Sequence, residues 1–216
     1  VIAAIAILAA LSLPDRIVRI DGELKAGQFE PAQRELAALD NTITEHFGSG
    51  SQAMYTIALI ASFRALAAAG AKDLNDAEWY WSIARSLFPK FAGSNLAVYG
   101  AAGEAVMRLD RSDACQTRDL PSGSRVTPPK PSHSPMPPYP YHALETGIAE
   151  PITVEVTVTE NGTTRCPKVI ETHDDPALAW VLLEAMKKWR YEPARVDGAP
   201  VPATVRQTVD FRIKYY

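Results

Sequence analysis

The sequence predicts an α+β protein in three parts. An N-terminal all-α, helical-repeat-like bundle comes first, then a Pro-rich linker, then a C-terminal β-β-α-β domain with a three-stranded antiparallel sheet. Three observations carry this expectation. From Phe29 onward, apolar residues recur at steps of three and four, the period of one helix face. Eight of the 17 prolines lie between positions 121 and 140, where periodicity stops. Beyond them, Ile152-Thr153-Val154-Glu155-Val156-Thr157-Val158 alternates apolar and polar residues without a break, the pattern of a half-buried strand.

The chain opens with 13 uncharged residues before Pro14, fewer than the ~20 that a membrane-spanning helix needs. Residues 1–13 fit a signal-peptide apolar region or a truncated membrane anchor, and Ala10-Leu11-Ser12 has the small-x-small spacing of a cleavage site. A buried core helix is the alternative. In the helical region, residues 14–110, Phe29, Ala32, Leu36, Leu39, Ile43 and Phe47 form one face before Gly48-Ser49-Gly50-Ser51 breaks the run. An alanine-rich helix over 52–69 follows, with Met54, Ile57, Ala61 and Ala65 on one side. Asn75-x-x-Glu78 reads as a capping box opening a helix that Pro89 ends, and an Ala/Gly-rich helix runs over 94–108. Ala77, Trp81, Ala84 and Pro89 have the spacing of a tetratricopeptide-repeat helix, and Gly27-Gln28-Phe29-Glu30-Pro31-Ala32 resembles its inter-helix turn. Ala32 and Ala77 are 45 positions apart, against a repeat period of about 34, so a degenerate repeat and a generic bundle both stay open. Trp79, Tyr80 and Trp81 are either core or an aromatic binding surface.

Residues 111–138 favour polyproline II at about 3.1 Å per residue, so about twenty residues reach roughly 60 Å. That describes a stiff spacer, or a ligand for a proline-recognising groove. In the domain that follows, residues 139–216, Glu160-Asn161-Gly162-Thr163 supplies a tight hairpin turn, and Pro167 in the return strand implies a bulge or an outer edge. Asp174-Asp175-Pro176 starts a helix whose face is Leu178, Val181, Leu182, Ala185, Met186 and Trp189. Tyr191 and Pro193 stop it. Trp180 and Leu183 fall off that face and mark a dimer or interdomain contact, or half-exposed apolar positions. Val205, Gln207, Val209, Phe211 and Ile213 alternate with polar residues as the last strand.

Net charge is −3 and charged content 22%, which gives no basis for a nucleic-acid partner. His46, His133, His142 and His173 show no i, i+4 pair, so no metal site is expected. No phosphate-cradling loop and no nucleophile elbow occur, and a helix N-terminus accounts for Asp174-Asp175. The expectation is a non-enzyme without cofactors. Cys115 and Cys166 are either a disulfide that staples the two halves across the Pro-rich segment or two unpaired thiols.

Tyr139-Pro140, the strand and Asn-Gly hairpin, then Trp189-Arg190-Tyr191-Glu192-Pro193-Ala194, Asp197-Gly198, Pro200-Val201 and Val209-x-Phe211-x-Ile213 occur in this order. In that combination, residues from about 136 to 215 resemble the C-terminal domain of TonB-family proteins. The family motif falls on Tyr139, Pro140, Trp189, Arg190, Tyr191, Pro193 and Gly198. The resemblance implies a periplasmic domain of Gram-negative bacteria, exported or anchored to the inner membrane. Such a domain grips the TonB box of a TonB-dependent outer-membrane transporter while the anchor draws on the proton gradient. The physical mode is strand addition at a sheet edge, here Arg206, Gln207, Thr208, Val209, Asp210, Phe211 and Arg212. A proline at Gln207 is expected to block that edge. The chain departs from the family in its short apolar start, its short linker and its helical domain. A second reading therefore stands beside the first: an envelope scaffold whose helical domain recruits a protein partner while the TonB-like domain only docks or forms a homodimer.

Overall fold

A computed structural model describes residues 11–46, 50–112, 115, 125–171 and 175–211. The expectations for residues 1–10, Phe47, His173, Asp174 and Arg212 lie outside the described residues. So does the side chain of His46.

Among the described residues, five helices build the N-terminal region: α1 (Leu13–Lys25), α2 (Phe29–His46), α3 (Ser51–Gly70), α4 (Leu74–Leu87) and α5 (Gly100–Arg111). Ser12 caps α1 by accepting the Asp15 N–H at 3.4 Å, with Pro14 in the first turn. The expected face of α2 is the buried one, from Ala32 through Leu36 and Leu39 to Ile43. Helix α3 is the hub, touching α1, α2, α4 and α5. By length and composition it could cross a membrane. Its apolarity instead meets neighbours on nearly every side, with Ile57, Ile60, Ala61, Ala65 and Leu66 all buried, and its alanines let those helices approach closely.

Two local readings change. Asp73, not Asn75, caps α4 by accepting the Asp76 N–H at 3.0 Å, which leaves Glu78 free of a capping role. Helix α5 begins at Gly100, not near 94. Asn95 accepts the Ala97 N–H at 3.0 Å, and a 3₁₀ turn over Ala97–Tyr99 occupies the intervening chain.

The C-terminal part contains β1 (Val126–Thr127), β2 (Lys130–His133), α6 (Tyr141–Thr146), β3 (Pro151–Val158), β4 (Thr164–Glu171), α7 (Pro176–Met186), β5 (Arg190–Glu192), β6 (Ala194–Val196), β7 (Ala199–Val201) and β8 (Ala203–Asp210). The main sheet is antiparallel in the order β4-β3-β8. Ile152, Val154, Val156 and Val158 are fully buried on one face, as are Leu178, Leu182 and Met186 of α7, so the strand period and the helix period meet in one core. Asp175 caps α7 by accepting the Ala177 N–H at 2.9 Å and holds His142 Nε2 at 2.6 Å. At the other end, the Thr164 hydroxyl donates to the Met186 carbonyl at 2.8 Å.

The Pro-rich segment is not a free spacer where it is described. Val126–Thr127 pairs with β6, and Lys130–His133 pairs with β5, so this stretch lies along the C-terminal domain. Trp189-Arg190-Tyr191 is correspondingly not a helix end. Helix α7 stops at Met186, and Arg190–Glu192 is extended because β2 supplies a strand partner, with Tyr191 opposite Pro131. The β3–β4 loop also differs from a two-residue turn. The Thr159 N–H donates to the Thr163 carbonyl at 2.8 Å around Glu160-Asn161-Gly162, with Gly162 at φ 77°, a three-residue loop whose last position needs the left-handed region. The two-residue turn is Asp197-Gly198, at φ 50° and 88°, between Val196 and Ala199.

Candidate functional site

The sheet has two edges, and they are finished differently. Opposite Val156, β4 carries a bulge. The register shifts between Glu155 and Thr157, Cys166 sits at φ 51°, and Pro167 is buried. A proline has no N–H to offer, so this edge can be covered without orphaning a donor. Helix α4 covers it. On the α7 side, Tyr80 stacks on Trp180 at 6.2 Å and Asp76 accepts Lys187 Nζ at 2.7 Å. Toward the other face, Ser82, Arg85 and Ser86 share a groove with Glu155, Thr157 and Pro167. Between them Glu78, buried, pairs with Arg165 of β4, whose Nε lies 3.2 Å from Oε1. Cys115, just past α5, is joined to Cys166 in the bulge, with Cα atoms 5.5 Å apart.

Arg64 of α3 completes this interface. It donates to Asp40 at 2.6 Å and to the Tyr80 hydroxyl at 3.0 Å, and lies 5.1 Å from both the Tyr80 and Trp180 rings. Burial pulls its pKa down, but Tyr80, Asp40 and Glu184 outweigh that and raise it. Burial raises the Tyr80 hydroxyl, which stays protonated. Trp180 and Leu183 are therefore buried, and Trp180 makes an interdomain contact. Trp79, Tyr80 and Trp81 are all buried.

The opposite edge, β8, runs in unbroken register with β3 from Pro151↔Asp210 to Val158↔Ala203. The Phe211 N–H donates to the Glu150 carbonyl at 3.3 Å, and this sets the phase of the ladder. Odd-numbered residues of β8 turn their N–H and C=O toward β3. Thr204, Arg206, Thr208 and Asp210 turn theirs outward. A proline at Gln207 would therefore break the inner ladder, and Thr208 is the position that blocks the outer edge. Gln207 Nε2 donates to the outward Thr208 carbonyl at 3.3 Å.

Side chains fix β8 in place. Arg206 Nε meets Glu155 at 3.0 Å, and the Thr208 and Thr153 hydroxyls lie 3.0 Å apart. Val209 and Phe211 are buried, and Phe211 meets the Tyr139 ring edge-on at 5.5 Å. The Tyr139 hydroxyl donates to the Ile148 carbonyl, and Pro140 stands at the N-cap of α6. The rest of the expected motif is a frame away from the edge. Trp189 Nε1 donates to the Pro135 carbonyl at 2.9 Å, and the Arg190 guanidinium donates to the Trp189 carbonyl at 2.7 Å. The Tyr191 N–H donates to the Gly162 carbonyl at 2.9 Å, and a Cβ on Gly162 would come within 2.0 Å of the Tyr191 carbonyl oxygen. Burial raises the Tyr191 phenol. Pro193 separates β5 from β6.

Glu78, Cys115 and Cys166 present three donor atoms within 4.8 Å of one another. Two are disulfide sulfurs rather than thiolates, and the third belongs to a carboxylate paired with Arg165, so the chemistry of the set does not fit a cation. Sequence reasoning missed Arg64, Glu78 and Arg165. The signals that pointed toward this interface were Trp180, off the face of its own helix, and the Cys115/Cys166 pair.

Residues 135–213 match the family model for the Gram-negative bacterial TonB protein C-terminal. A solution NMR structure of the Pseudomonas aeruginosa TonB CTD is similar at 30% identity, covering 41% of this chain and 89% of that one, with a TM-score of 0.36. No curated protein matches the chain. The repeat resemblance in the N-terminal region gains no support from these matches.

Proposed function

We propose, given that residues 135–213 belong to the TonB C-terminal family, that this chain takes an extended segment of an outer-membrane transporter onto β8 by strand addition. The family supports a TonB-like, protein-binding role in the envelope. The observation that carries the finer reading is the asymmetry of the sheet. Arg206 and Thr208 direct main-chain groups outward on a continuous strand, while α4 and Pro167 close the other side. Main-chain hydrogen bonds would give affinity, and the exposed Thr204, Arg206 and Thr208 side chains would flank the added strand. One edge implies one peptide per chain. We place the helical domain at 14–110 and the TonB-like domain from 139, with an inner-membrane anchor or signal segment before them.

A labelled synthetic TonB-box peptide, titrated against the full chain, tests this. Binding at one peptide per chain that Thr208→Pro removes is the expected result. Equal binding to that variant, with its melting temperature kept, would contradict strand addition at β8.

A further inference from the structure

A second surface stands apart from β8. Where α2 meets α7 and the segment leading into α6, a cleft of about 550 Å³ opens. Trp180 and Val181 line it from α7, Met136 and Tyr139 from the Pro-rich side, and Asp40 from the helical region. Its chemistry is mixed in an unusual way. Met136 and Tyr141 leave 72% and 57% of their surface in water, so two large apolar side chains stand together at one opening. Beneath them two carboxylates share one guanidinium. Arg64 holds Asp40 at 2.6 Å and reaches Glu184 only at 3.9 Å. Glu184 Oε1 is shielded from solvent yet accepts no hydrogen bond from the described residues, a costly state for a carboxylate oxygen. Burial raises the Glu184 pKa and the Asp40 charge adds to it, while Arg64, Lys187 and a hydrogen bond with Tyr80 offset this in part. Lys187, whose charge also acts on Glu184, is engaged with Asp76 at 2.7 Å. Lys188 stands exposed at the lip.

We propose that this cleft binds an arginine side chain within an extended, apolar segment of a protein partner. The guanidinium supplies a donor to Glu184 Oε1, the oxygen that Tyr80 and Arg64 leave without a hydrogen bond, and its planar face and aliphatic stem lie against Tyr139, Tyr141 and Met136. An aliphatic partner alone would leave Glu184 Oε1 without a donor, and an acidic one would meet two carboxylates. Asp40 belongs to α2, so the site exists only where the two parts of this chain are docked, and it does not depend on β8.

The test is fluorescence anisotropy of the full chain with a labelled Gly-Ala-Pro-Arg-Ala-Leu peptide and its citrulline isostere, which keeps the shape and removes the charge. The arginine peptide binds, and citrulline weakens binding by roughly tenfold or more. Glu184→Gln weakens the arginine peptide to the same degree and leaves the citrulline peptide unchanged. Tyr141→Ala, at an exposed position that the fold does not need, weakens both. Thr208→Pro changes neither, which separates this site from strand addition. Equal affinity for the two peptides, no binding of the arginine peptide at millimolar concentration, or loss confined to Thr208→Pro would overturn the proposal.

Discussion

The two edges of one small sheet receive opposite treatment. On β4 the chain spends a proline, a bulge, a disulfide, a buried ion pair and a whole helix. On β8 it leaves unbroken register and outward-facing amides. Exposed edges invite pairing with other chains, and soluble proteins normally blunt them. Closing one edge so thoroughly leaves β8 as the edge on which the proposed strand addition rests. The helical region is thus more than a neighbour of the TonB-like domain: it reduces a two-edged sheet to a one-edged one.

The largest expected break in this comparison comes from the disulfide. It closes a loop with a sequence separation of 51, which the chain-entropy model values at about 4 kcal/mol. A Cys115→Ser/Cys166→Ser double variant should lose stability of that order in urea melts. If α4 then lifts from β4, peptide stoichiometry should rise above one. A stability unchanged within error would mean that the staple contributes nothing to closing that edge.

The next effect separates the two sides of β8 itself. Gln207→Pro removes a donor that faces β3 and should cost about 1–3 kcal/mol. Thr208→Pro removes a donor that faces outward and should cost under ~1 kcal/mol while losing peptide binding. Thermal melts of the pair read the difference, and equal destabilisation would mean that the phase of the ladder is wrongly assigned.

The smallest effect is a pH dependence at the interdomain seam. Burial raises the Glu184 pKa above its ordinary value, with Arg64 offsetting and Asp40 reinforcing. A carboxyl raised in the fold holds its proton more tightly there than in the unfolded chain. Its contribution is thus fully present below the unfolded pKa and is lost as pH rises through the folded one. Stability should fall across that window, and Glu184→Gln should flatten the fall. A variant with the same slope as the parent would show that another group sets it.

Much of the C-terminal domain was legible in the sequence because its signals are local. The Ile152–Val158 alternation, the helix start at Asp175-Pro176 and the outer-edge hint of Pro167 each need only a few adjacent residues. What stayed hidden depends on pairs far apart in the chain. Glu78 sits where a capping box would want it, yet it answers Arg165, 87 positions away. Trp189-Arg190-Tyr191 looked like a helix end because nothing nearby reveals that Lys130–His133 returns as its strand partner. Periodicity tells which face of Trp180 is unusual, but not that Tyr80 and Arg64 meet it. The open edge at β8 was legible as a strand, whereas which of its amides point outward required the register.

Residue-resolved amide hydrogen exchange of the full chain, with and without a TonB-box peptide, tests the central claim most directly. The peptide should slow exchange at Arg206 and Thr208 and leave Val205, Gln207 and the amides of β4 unchanged. Protection that falls on β4, or that spreads evenly along β8 without alternation, would contradict an added strand on the β8 edge of this sheet.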